Sequence, residues 1–184
     1  TPFYSPAAIL LSACIALYAG SRTVKHQRKI ARKRATLDVI LKHQSDPGYE
    51  QAIATFRDIR DADSLLSMTD PKSDRDKTAQ LHIWDFLNHY ELVFCGIESD
   101  ALDELFYYTW MRGAVIQHWN ESKALIENER ANGNPRLFVK FQRFAESWEQ
   151  GKFVLRRDTP ADHQDGNTEE MPQDMKHHGE AAWS

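Results

Sequence analysis

The chain has 184 residues, 27% charged and 41% hydrophobic, with a formal net charge of −4 and a mean hydropathy of −0.61. This is one domain's worth of ordinary globular composition. It excludes collagen-like, mucin-like, wholly disordered and multi-span membrane proteins, and two cysteines exclude a disulfide scaffold. The charge is unevenly spread: residues 21–34 carry seven cations and no acid, residues 35–157 fifteen cations and twenty acids, and residues 158–184 one lysine and seven acids.

The N-terminal stretch FYSPAAILLSACIALYAG, residues 3–20, has no charge, and none precedes Arg22. As a helix its eighteen residues span about 27 Å at roughly 1.5 Å each, close to the roughly 30 Å of a bilayer core. Tyr4 and Tyr18 stand near the ends, where aromatic rings favour the interface. Pro6 falls in the first turn, where its missing N–H costs little. A cleaved signal peptide would carry positive charge before the apolar run, and a buried core helix would not be expected to run into a basic stretch; both fit less well than a single transmembrane helix over residues 1–20. The cations that follow would place the N-terminus outside and the bulk of the chain in the cytoplasm, at a bacterial inner membrane. Arg22, Lys25, Arg28, Lys29, Arg32, Lys33 and Arg34 would then meet anionic headgroups at about 1 kcal/mol each. Ala8, Ser12, Ala16 and Gly20 recur every four residues, a spacing that allows homo-oligomerisation through one helix face but is also common filler in such spans.

Residues 21–45 lack proline and glycine and read as a basic helical stalk continuous with the span. Ser45-Asp46-Pro47-Gly48 is a turn signal. The next helix is expected over residues 49–67, with Ile53, Phe56, Ile59 and Leu66 inward. Another follows at 74–98, capped by Ser73 or Asp74, then one at 101–131 capped by Asp100 and ended by Asn132-Gly133-Asn134, and a last one at 135–151 opened by Pro135. No strand alternation and no repeat occurs. The expected fold is all-α: a compact bundle of about four helices over residues 46–157, with residues 158–184 an acidic, disordered tail.

At 100° per residue, Leu81, Trp84, Asn88, Glu91, Leu92 and Cys95 share one sector of the 74–98 helix. Ile83, Phe86, Leu87, Tyr90, Phe94 and Ile97 share a second, and His82, Asp85 and His89 a third. Apolar on two sides, this helix should be central, with Asn88 and Glu91 turned into packing. On the following helix Leu102, Leu105, Thr109, Arg112, Ile116 and Trp119 share a face. A charge on such a face must pair or snorkel, so Glu91 is expected to pair with Arg112, with Asn88 completing the hydrogen bonding.

His82, Asp85 and His89 have the chemistry of metal ligands. Their sector is the polar one, no HExxH or paired carboxylates supply further ligands, and a solvated face is the plainer reading. No glycine-rich phosphate loop and no GxSxG elbow occurs. The aromatics Trp84, Phe86, Tyr90, Phe94, Phe106, Tyr107, Tyr108 and Trp110 fall at helical intervals and read as core. No enzyme activity and no cofactor is expected.

The text FLNHYELVFCGIESDALDELFYYTWMRG, followed by IQHWN, NER and LFVKFQRFAESW, resembles a bacterial and phage family, domain of unknown function 4760. The family's recurring positions fall here on Leu87, Asn88, Glu91, Gly96, Ile97, Asp103, Glu104 and Trp148. The resemblance implies a membrane span, a stalk and a helical domain, and brings no activity. The expected function is that of a single-pass, membrane-anchored interaction or scaffold protein, phage- or prophage-encoded if the resemblance extends so far, whose partners are membrane lipid and another protein. Nucleic-acid binding through residues 22–34 is an alternative that the acidic remainder disfavours. A helical metal-dependent enzyme is the other.

Overall fold

A computed structural model describes residues 6–155, with side-chain exposure defined from residue 10 onward. Five helices follow one another: α1 (Pro6–Gln44), α2 (Pro47–Asp61), α3 (Asp74–Glu98), α4 (Glu104–Ala131) and α5 (Val139–Glu149), with a 3₁₀ turn at Leu65–Thr69 between α2 and α3. No strand occurs among the described residues. The expected acidic tail, 158–184, lies outside them.

Local chemistry sets most boundaries. The Asp46 carboxylate accepts from Gly48 N at 2.9 Å ahead of Pro47, starting α2. Ser73 and Asp76 form a reciprocal capping box at the start of α3. Three expected boundaries differ. α2 stops at Asp61 rather than running to 67, because Asp63 takes a left-handed conformation; Leu65 and Met68 are buried and Leu66 is exposed. Asp100 is also left-handed, so Asp103 caps α4, accepting from Phe106 N at 2.8 Å. Pro135 does not open α5; Phe138, left-handed, precedes it.

α3 is central, as its two apolar sectors imply, but it buries only one of them. Ile83, Phe86, Leu87, Tyr90, Phe94 and Ile97 are inside. Leu81 and Leu92 of the other sector are 61% and 70% exposed, and Asn88 is exposed too. The α3 rings stack on those of α5, Tyr90 on Phe141 (4.7 Å between centroids) and Phe94 on Phe144 (4.4 Å). Phe56 of α2 meets Phe86 at 4.7 Å. The expected aromatic core holds except for Trp110, which is 61% exposed.

At the α3–α4 corner Gly96 packs closely under Leu102. A Cβ on Gly96 would lie 2.7 Å from Leu102 Cδ1, and the Gly96 carbonyl accepts from the amides of Ala101 and Leu102. A side chain there would force the Leu102 side chain aside.

α1 has two parts. Residues 10–31 are exposed throughout. From Arg32 onward the helix docks: Arg32 pairs with Asp100, and buried Thr36 accepts from Asp103 N at 2.8 Å. The C-terminal part of the expected stalk therefore belongs to the bundle, which begins before residue 46.

Among the described residues no helix is long and apolar enough to cross a membrane. This corrects the transmembrane expectation for the part that is described. Between Pro6, where the helix starts, and the first cation, Arg22, the sequence carries Ser12, Ser21, five alanines and Gly20, and the fifteen residues to Gly20 reach about 22 Å, short of a bilayer core of about 30 Å. Residues 1–5 of the expected span lie outside the described residues.

Candidate functional site

The expected Glu91–Arg112 pair does not form. The Glu91 carboxylate accepts from the α5 amides of Phe141 (2.9 Å) and Lys140 (3.3 Å). Phe138 offers α5 no side-chain cap, so Glu91 performs that task from α3 and places negative charge at the positive end of the helix dipole. Arg112, itself exposed, donates from Nε to the Trp148 carbonyl at 3.1 Å, at the other end of α5. The two charges bracket one helix instead of meeting. Asn88 takes no part. Glu98 adds ion pairs to Lys140 and Arg143.

Glu104 is a second brace. It is buried in the first turn of α4 and accepts from Trp148 Nε1 (3.1 Å), Val154 N (2.7 Å) and Leu155 N (2.7 Å). One carboxylate thus holds α5 and the segment after it. Of the positions that carry the family resemblance, Glu91, Gly96, Asp103, Glu104 and Trp148 all do architectural work.

The three expected metal candidates lie along one groove of about 480 Å³, together with His43, Asp46 and Asn88. They are not a uniformly solvated face. His89 is buried against His43, with ring centroids 3.6 Å apart, and burial together with that neighbour pushes its pKa down to about 3. His82 Nδ1 hydrogen-bonds Thr55 Oγ1 at 3.1 Å. Among the described residues no group of three or more His, Cys, Asp or Glu is placed to hold a metal ion.

Another cavity was not anticipated. It encloses about 320 Å³ where α1, α2, α3 and α4 converge. α1 supplies Val39, Ile40 and His43; α2 supplies Tyr49, Ile53 and Arg57; α3 supplies His89; and α4 supplies Tyr107 and Met111. His43 Nδ1 donates to the Val39 carbonyl, which orients its ring. Burial raises the pKa of Tyr49 and Tyr107, so both hydroxyls keep their protons. The Tyr107 hydroxyl and Arg57 Nε are buried with no hydrogen-bond partner. A readable trace existed on α2: Tyr49, Ile53 and Arg57 recur every four residues, which sets an arginine on an apolar stripe.

A second buried histidine, His118, lies on α4. It is 1% exposed and hydrogen-bonds the Tyr90 hydroxyl through Nδ1 at 2.7 Å. Burial, with Arg57 and Arg60 nearby, pushes its pKa down to about 3.

On the exposed part of α1, Leu10, Leu11, Ile15, Leu17 and Tyr18 stand free of the bundle. Arg22, Lys25, Arg28, Lys29, Lys33 and Arg34 are exposed, whereas Arg32 turns to Asp100. Ser12, Ala16 and Gly20 of the expected self-association face are exposed; the side chain of Ala8 lies outside the described residues.

Fold and sites together define an all-α protein with a long projecting first helix and a braced aromatic core. The chain belongs to the family described as a domain of unknown function, DUF4760, whose model matches residues 6–148. No curated protein and no solved structure matches it.

Proposed function

We propose that this protein is an interaction or scaffold protein held at a membrane by the projecting part of α1. The observation that carries this reading is the exposure of residues 10–31, apolar at one end and cationic at the other. Leu17 and Tyr18 are 74% and 68% exposed, and large apolar side chains so exposed call for a cover. Lipid covers the apolar end, and the six exposed cations between Arg22 and Arg34 lie at anionic headgroups. The bundle then lies at the anionic cytoplasmic face of a bacterial inner membrane. It presents helix faces, including exposed Leu81, Leu92 and Trp110, to another protein. Self-association through Ser12, Ala16 and Gly20 is part of the same reading.

Fractionation of cells expressing the full chain tests it. The full chain should stay with membranes after an alkaline wash, and Ile15→Asp with Leu17→Asp should release it. Charge-neutralising Lys/Arg→Gln changes between residues 22 and 34 should weaken binding to anionic vesicles. A full chain that is soluble throughout would refute the reading. If the same Lys/Arg→Gln set instead abolished a tight, salt-sensitive DNA complex, the basic stretch would serve nucleic acid.

A further inference from the structure

We propose that the cavity between α1, α2, α3 and α4 binds a small organic acid, its carboxylate on Arg57 and Tyr107 and its apolar body against Ile40, Ile53 and Met111. Buried polar groups normally find partners, and here two of the cavity's lining residues do not. Arg57 Nε and the Tyr107 hydroxyl are both buried donors left unsatisfied. Tyr107 is 1% exposed, so bulk water does not serve it. No carboxylate among the described residues forms an ion pair with Arg57. The cavity's other charged lining residue, Glu50, is exposed.

The chemistry of the lining narrows the ligand. An arginine fork and a hydroxyl donor lining one cavity suit a carboxylate. His89 is neutral and adds no second positive charge, which disfavours a multiply charged ligand such as a phosphate ester. About 320 Å³ lies at the small end of ligand sites, enough for a ring or a short chain. Apolar walls with a few polar groups make the usual pattern of a site that orients such a molecule.

Titration calorimetry of the full chain with benzoate, hexanoate, benzyl alcohol and inorganic phosphate tests the proposal. Benzoate or hexanoate should bind at least tenfold more tightly than benzyl alcohol, and phosphate more weakly than either acid. Arg57→Gln should weaken acid binding by about tenfold or more, the loss of a charge-assisted hydrogen bond. Tyr107→Phe, which keeps the ring and its packing, should weaken it about three- to tenfold. If Arg57→Gln fails to fold, Tyr107→Phe alone decides. Binding of benzyl alcohol as tight as benzoate would overturn the proposal, as would phosphate binding as tight as either acid. So would the absence of binding by both acids, or acid binding unchanged in Tyr107→Phe.

Discussion

Replacing Glu91 and Arg112 by alanine, singly and together, tests whether the two charges act on α5 or on each other. Glu91 accepts two α5 amides at 2.9 and 3.3 Å. Losing a capping acceptor costs about 0.5–2 kcal/mol, and losing negative charge at a helix N-terminus costs about 0.3–1 kcal/mol. Glu91→Ala should therefore destabilise the fold by about 1–3 kcal/mol. Arg112 makes one hydrogen bond from an exposed side chain, at 3.1 Å, so Arg112→Ala should cost about 0.5–1 kcal/mol. The contacts at Lys140 and Trp148 are about 12 Å apart along the helix axis, beyond the range at which mutations usually couple. The double variant should thus lose the sum of the single losses to within about 0.5 kcal/mol. Urea unfolding followed by circular dichroism measures all four proteins. A buried ion pair would give the opposite pattern, with large single losses and a smaller double loss. A coupling energy above about 1 kcal/mol would therefore refute the bracket.

Two further outcomes follow from buried ionisable groups. His89 and His118 have pKa values pushed to about 3 from 6.5, so below 6.5 the unfolded chain binds more protons than the folded one. Stability should be complete above pH 6.5 and fall as pH drops toward 3, by up to about 1.4 kcal/mol per pH unit for each histidine once well below 6.5. Urea midpoints between pH 6.5 and 5, above the main carboxylate range, should show the slope; His118→Gln should reduce it, and a flat profile would refute it. Glu104→Gln should cost about 2–4 kcal/mol, because one oxygen facing the Trp148, Val154 and Leu155 donors becomes an amide NH2, itself a donor. Hydrogen exchange at Val154 and Leu155 should accelerate with it, and unchanged protection there would count against the brace.

What the sequence disclosed depended on how local the cause was. The bounds of α3 were legible because Ser73 and the step after Glu98 are local signals. Its buried side was not, since a helix apolar on two sides carries no mark of which side meets the core; Leu81 and Leu92 drew Asn88 and Glu91 inward on the helical wheel, and the structure leaves both leucines outside. The end of α2 was overrun because Asp63 adopts a left-handed conformation that aspartate tolerates but does not announce. On α4 the same wheel favoured Thr109 and Arg112, whereas the buried side carries Tyr107, Met111, Val115 and His118. The cavity was illegible for a topological reason. Its lining comes from four helices, and no spacing within one helix reports that His43, Arg57, His89 and Tyr107 converge.

The architectural roles of Glu91, Gly96, Asp103, Glu104 and Trp148 bear on where function should be sought. Each has a physical role within the fold: a cap on α5, a close approach to Leu102, a cap on α4, and a carboxylate–indole clasp. Of the motif's polar positions, Glu91 and Glu104 are engaged in holding helices together and Asp103 through one of its two carboxylate oxygens, while Asn88 is exposed. Unspent chemistry lies elsewhere, in the apolar and cationic surface of α1 and in the unsatisfied donors of Arg57 and Tyr107. These two places share one element, since the helix that projects at residues 10–31 also lines the cavity through Val39, Ile40 and His43. A helix docked by Arg32 and Thr36 on the corner where Gly96 packs under Leu102 is therefore the structural link between them. Substitutions at Thr36 or Gly96 should disturb both places together, whereas substitutions at Ile15 or Tyr107 should disturb one without the other.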